Sequence, residues 1–287
     1  MKRKYLRLAA VAPLALLLVA LGLQCPPARA GNMSWIFEQD VMSACRDHPA
    51  ISHAAPNGRE HHAMLHECEA RILSDPRVVP AREHATAAWA LSITANAVMT
   101  SREGAWANLS DSRSSDIWAV READKAFWRI AEYINDWLSA ARAYEAHLPA
   151  SILAEKRRVE EETARNDEKL KPMMDGHESF LAEHKAEMAS FHAEIAAAVP
   201  GYAKMRAENA ALDTAIAAQR GNASQTLKAA IAVSVSSLTE RQLLDGAKKR
   251  FPAVDRCLEQ GRPFECLTDL EQQVFRDADP GARHAPD

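Results

Sequence analysis

Apolar residues recur at helical spacing along most of this chain, and strict apolar–polar alternation is hard to find. The clearest stretch runs from about Ser115 to Leu148. Phe127, Ile130, Ala131, Ile134, Trp137, Leu138, Ala141, Glu145 and Leu148 fall on one face, and only Glu145 among them is polar. Arg129, Glu132, Asp136 and Arg142 take the opposite side, which predicts an amphipathic helix packed against a partner. Trp118 and Trp128 sit near the apolar edge, where tryptophan serves as a core or interface anchor.

The segment from Pro149 to Pro200 is more charged. Mixed signs between Glu155 and Lys171 predict a solvated helix with i,i+4 pairs such as Glu161 with Arg165. A thin stripe of Ile152, Val159, Leu170, Met174, Leu181, Met188, Ile195 and Val199 stays in register through it, so one long helix is allowed; Pro172 and Gly176 would kink or split it. Pro200-Gly201 makes a turn, and Tyr202 to Gln219 resumes with Met205, Asn209, Leu212, Ile216 and Gln219. The two segments should fold back as an antiparallel hairpin.

Gly221-Asn222 reads as a further break, followed by a helix from about Ser224 to Leu238. Thr239-Glu240-Arg241-Gln242 has capping-box spacing ahead of Leu243 and Leu244. The tail from Pro252 reads as two short helices joined at Gly261-Arg262-Pro263, with frayed residues beyond Asp277. The segment Gly31 to Pro80 differs in kind. It holds four prolines, two cysteines and five of the eleven histidines, and reads as a disulfide-tied cap with short helices. The predicted fold class is therefore all-α: long amphipathic helices with an antiparallel hairpin, a disulfide-tied N-terminal cap and a C-terminal helical hairpin. Its segments are 1–30, 31–80, 81–148, 149–220 and 221–287.

The first thirty residues change the setting. Lys2, Arg3, Lys4 and Arg7 precede an apolar run from Leu8 to Leu23, and Ala28-Arg29-Ala30 ends it in the small-x-small pattern that a signal peptidase cuts. The run is shorter than the roughly 20 residues of a membrane span, which disfavours an uncleaved anchor. A lipoprotein site at Cys25 is disfavoured by Gln24 and Gly22. Cleavage after Ala30 is expected, with a periplasmic or secreted destination and no stable span afterwards.

Composition supports a globular protein: of 287 residues, 47% are hydrophobic and 26% charged. The first thirty hold five basic and no acidic residues, so cleavage would move the formal charge from −4 to −9. Such an acidic chain repels phosphate backbones, so nucleic acid is not an expected partner. The four cysteines that remain are Cys45, Cys68, Cys257 and Cys266, an even number in an exported chain. The two local pairings, Cys45–Cys68 and Cys257–Cys266, close the shortest loops and are the expected ones.

Motifs that carry chemistry are mostly missing: GxSxG, a Walker loop, GxGxxG, CxxC and an EF-hand loop are all absent from the sequence. HExxH is approached at His66-Glu67 and His177-Glu178, each time without the second histidine. Metal ligands are candidates in two places. His62 and His66 are four apart, as on one helix face, and His48, His53 or a carboxylate such as Glu67 would have to complete a zinc, copper or nickel site. His177, His184, Met188 and His192 form a second group, which reads either as a copper or nickel site or as a polar helix seam.

In the tail, Arg256-Cys257-Leu258 with Glu265-Cys266-Leu267 resembles the two-cysteine ends of periplasmic lysozyme-inhibitor-like proteins. The resemblance covers this short segment alone and implies lysozyme inhibition as one alternative. Exported helical proteins that accompany secretion or conjugation machines have the same general build, which is an analogy of fold only. The expected function is a non-enzymatic binding or accessory protein of the bacterial envelope, partnered by another envelope protein and able to oligomerise through its amphipathic helices. The alternatives are a periplasmic metal binder using the cap, and a hydrolase with an unfamiliar site.

Overall fold

A computed structural model describes residues 27–52, 59–111 and 114–250. Among the described residues there is no strand, and the fold is all-α. The helices are α1 (Pro27–Arg46), α2 (Pro49–Ser52), α3 (Arg59–Ser74), α4 (Val78–Ala107), α5 (Ser114–Ala146), α6 (Ala150–Ala198), α7 (Tyr202–Ser236) and α8 (Glu240–Arg250), with a 3-10 turn at Asn108–Asp111. The predicted tail helices, the Cys257–Cys266 pair and residues 1–26 of the leader lie outside the described residues.

Helices α4 and α7 form the spine and run antiparallel. Arg77 beside the start of α4 reaches Ser237 just past the end of α7, Arg220 lies over the Trp89 ring, and Arg102 reaches Asn209. Helix α5 folds back along α4 with the face read from its spacing: Phe127, Ala131, Ile134 and Ala141 are buried, while Arg129, Glu132, Asp136 and Arg142 are exposed. The hairpin of α6 and α7 turns at Gly201, whose φ of 91° is a left-handed conformation that glycine adopts without strain.

The cap shares its core with the body. Phe37, Val41 and Cys45 of α1, Met64, Cys68 and Ile72 of α3, and Leu243 of α8 are buried in one cluster with Val78, Ala81, Ile152, Leu227 and Ile231. Cys45 and Cys68 are disulfide-bonded at a Cα–Cα distance of 6.0 Å, as their local spacing predicted. Phe37, Val41 and Cys45 all follow Ala30, so a chain cut at that residue keeps this buried face.

One predicted break is not a break. Helix α7 runs unbroken through Gly221-Asn222. A glycine inside a helix costs only about 1 kcal/mol, and burial of Ala223, Leu227 and Ile231 together with the cross-helix bonds of Asn222 outweighs it. Helix α6 continues through Pro172 and Gly176 as the single long helix that its stripe allowed. The capping box at α8 forms as its spacing required: Thr239 N–H donates to Gln242 Oε1 (2.9 Å) and Gln242 N–H donates to Thr239 Oγ1 (3.3 Å).

Candidate functional site

The cap histidines among the described residues serve structure. Ala50 N–H donates to His48 Nδ1 (3.3 Å), which leaves the proton on Nε2 to donate to Leu238 O (3.1 Å). Both ring nitrogens of this buried residue are thereby used in tying α2 to the end of α7. His61 Nδ1 donates to Ile51 O (2.9 Å), and His66 Nδ1 lies 3.2 Å from Glu69 Oε2. His53 lies outside the described residues, as does the side chain of His62. Glu67, offered as a completing ligand, is buried and takes Arg71 Nε (2.6 Å) and Arg250 Nε (2.9 Å). Among the described residues, no three His, Cys, Asp or Glu side chains converge at metal-holding distance. A groove of about 710 Å³ beside His48 is lined by Ala44, Asp47, Val235, Leu238 and Glu240, an apolar wall with charged ends.

Three polar networks hold the body together. In the first, buried Lys156 of α6 donates to Glu145 of α5 and Asn222 of α7. Burial alone would raise the Glu145 carboxyl, but the hydrogen bonds from Lys156 and Asn222 outweigh it and hold the group below its ordinary value. Next to this pair, the His84 imidazole stacks on Trp137 (5.1 Å) and Tyr144 (4.7 Å). Burial pushes His84 below its ordinary value; Glu145 opposes the shift and Lys156 adds to it.

The second network centres on Arg102, which is 3% exposed. Its guanidinium donates to Asp124 (2.7 Å), Asn209 (3.1 Å) and Glu208 (2.7 Å), and lies 3.8 Å from the Phe127 ring centroid. Trp106 Nε1 donates to the same Asp124 (3.0 Å), and Asn209 Nδ2 to Met99 O (3.1 Å). Three helices therefore meet on a cation whose donors are largely satisfied, which is the condition for a buried charge to persist.

The third network closes the α6–α7 turn. His192 Nδ1 donates to Tyr202 Oη (3.0 Å), Tyr202 Oη donates to Glu103 (3.4 Å), and Arg206 Nε reaches Glu103 at 3.2 Å. The second histidine group is thus divided. His192 faces the body, whereas His184 is exposed beside Glu187 (4.0 Å) and Met188 is exposed on the outer stripe. The side chain of His177 lies outside the described residues.

Between these anchors α6 departs from the bundle. Roughly 54 Å of helix lies between Lys156 and His192, whereas their α7 partners Asn222 and Tyr202 are roughly 30 Å apart along that axis. A straight helix cannot meet both, so α6 bows outward, with Pro172 near the middle of the excursion. Every residue from 161 to 172, and again from 184 to 191, is exposed. Over those turns the helix buries no side at all, and Leu170 and Met188 of its apolar stripe, with Phe191 beside them, face solvent. Helix α5 carries further exposed apolar surface, with Ile117, Trp118, Trp128 and Tyr133 all at least half exposed.

These networks bind helices to one another, and the groove beside His48 lies outside them. The exposed stripe of α6 and the exposed face of α5 are apolar surface that no other described residue covers. Comparison with known proteins finds no family model, no curated relative and no solved structure that matches the chain.

Proposed function

We propose that this chain is an exported, non-enzymatic helical binding or scaffold protein of the bacterial envelope. The observation that carries the reading is the exposed centre of α6, helical for more than three turns with no buried side. Isolated helices of this kind gain little from propensity alone, and an amphipathic stripe held in register from Ile152 to Val199 is stabilised by packing. A partner that covers Leu170, Met188 and Phe191 would supply that packing. Export is supported by the charged, apolar and Ala-x-Ala order of residues 1–30, and an oxidised Cys45–Cys68 pair suits a compartment outside the reducing cytosol. The acidic balance of the chain argues against nucleic acid as the partner.

Photo-crosslinking from Leu170 and Met188 in growing cells tests the reading, with exposed Thr86 on α4 as the control. Discrete adducts from the α6 positions and none from Thr86 support it. Uniformly absent adducts, or protein confined to the cytosol with Met1 retained, overturn it.

A further inference from the structure

The groove beside His48 lies where three parts of the chain meet. Ala44 and Ala50 line it from the α1–α2 corner, Val235 and Leu238 from the end of α7, and Arg158 from α6. The bond from His48 Nε2 to Leu238 O (3.1 Å) ties the first two parts together, and Ala50 N–H takes up the other ring nitrogen. The imidazole is therefore spent on the fold.

The charged side chains lining the groove besides His48 are Asp47, Glu240 and Arg158. Arg158 is already matched by its own helix, with Glu155 at 2.6 Å and Glu162 at 3.5 Å. Asp47 and Glu240 are exposed, and among the described residues neither side chain makes a hydrogen bond or an ion pair. Their basic neighbours turn along their own helices. Arg46 donates to Met42 Sδ (2.9 Å) and Arg241 pairs with Asp245 (3.7 Å), and neither lines the groove. Arg157 is exposed and lies outside the lining too. Asp47 directly precedes His48 and Glu240 follows Leu238 by two residues, so the two uncompensated carboxylates flank the same tie.

The dimensions favour a small ligand. A volume of about 710 Å³ falls within the roughly 300–1,000 Å³ of small-molecule sites. Eleven residues line the groove, against roughly 20–30 a side in a protein interface.

We propose that this groove binds an organic cation with an apolar body, of the class of alkyl and aryl amines. The apolar body lies on Ala44, Ala50, Val235 and Leu238 and leaves water there. The ammonium faces Asp47 and Glu240, which no other cation matches. An anion of the same size meets like charge and is disfavoured, which gives the site its selectivity. The site does not use the exposed turns of α6 and stands apart from the function proposed for them.

The test titrates the full chain with octylamine, octanol and octanoate, probes of equal tail with positive, neutral and negative heads at pH 7. Methyl NMR reads the position: octylamine should shift Val235 and Leu238 to saturation and leave Leu170 of α6 in place. Octanol should bind about tenfold more weakly, and octanoate more weakly still. Asp47→Asn with Glu240→Gln should leave helix content unchanged, since both residues are exposed. The double variant should bind octylamine about tenfold more weakly and no longer prefer it to octanol. In 1 M salt, where the screening length is about 3 Å, the wild type should lose most of that preference as well.

Shifts at Leu170 as large as those at Val235 would mean general adsorption to apolar surface and would overturn the proposal. Failure to saturate Val235 and Leu238, octanoate binding as tightly as octylamine, or an unchanged affinity in the double variant would each do the same.

Discussion

The buried carboxylate of Glu67 occupies the space that a side chain on Gly246 would need. A Cβ at that position would overlap the Glu67 side chain from Cγ to the carboxylate. Glu67 cannot swing away freely, because Arg71 and Arg250 both hold it. Glycine here permits α8 to close on α3.

Gly246→Ala should therefore destabilise the protein by about 1–3 kcal/mol, the usual cost of forcing extra volume into a packed site. Gly221→Ala is the matched control, since a Cβ there meets nothing within 4 Å. It should stabilise by about 1 kcal/mol through helix propensity. Urea unfolding midpoints of the two variants should move in opposite directions, and a neutral Gly246→Ala would refute the steric account.

The disulfide closes a loop of sequence separation 23 between two fully buried sulfurs. Cys45→Ala with Cys68→Ala should cost about 3 kcal/mol by the loop-entropy relation. Because α1 and α3 share a core with α4 and α7, the loss should lower the unfolding midpoint of the whole protein. Separate melting of the first eighty residues in hydrogen exchange would contradict that shared core.

Acid stability should depend on His84. Its folded-state value lies below the ordinary 6.5 because burial disfavours the charged ring. The unfolded chain takes up the proton first, so stability is full above about pH 6.5 and declines as pH falls below it. Trp137, Tyr144, Glu145 and Lys156 are the groups that face the ring. His84→Phe keeps the stack and removes the proton, so its stability profile between pH 7 and 5 should be flatter than that of the wild type.

Asp75 acts at lower pH. Hydrogen bonds from Arg77, against a smaller opposing effect of burial, hold its carboxyl at about 2, and Ser234 adds a further bond of 2.6 Å. The folded state keeps this group ionised where the unfolded chain protonates it, so the contribution is present above about pH 4 and is lost as pH falls toward 2. Asp75→Asn should remove on the order of 1 kcal/mol at neutral pH, allowing for the part-exposed Arg77, and almost nothing at pH 2.

The spacing of Phe127, Ala131, Ile134 and Ala141 was enough to orient α5, and Thr239 with Gln242 enough to place the start of α8. Both are local signals, set within one or two turns. The buried cations were harder to see, since Arg102 and Lys156 are polar in sequence and are buried only by what two other helices, α5 and α7, bring to each of them. A signal existed nonetheless. Glu145 interrupts the apolar face of α5 and Asn209 that of α7, and each turns out to meet one of those cations. Trp118 and Trp128 lie on the solvent side, because α5 packs against α4 and α7 through the face centred on Phe127 and Ile134. The unbroken run through Gly221 was illegible for the same reason as the cations: propensity does not register Asn222 bonding across the bundle.

The excursion of α6 also bears on how the chain is threaded. The first 160 residues supply α1 to α5 and the buried Ile152; the last hundred supply α7 and α8, and the main core cluster draws on both. A nick at Lys169 would sever the backbone where nothing is buried, leaving two fragments whose apolar residues interlock on either side of the cut. Trypsin-nicked protein should therefore elute as one particle in native buffer and part only in denaturant, and the two pieces expressed separately should find each other. The chain joins its halves through a solvent-exposed strut, so continuity of the backbone and integrity of the core are separable properties here.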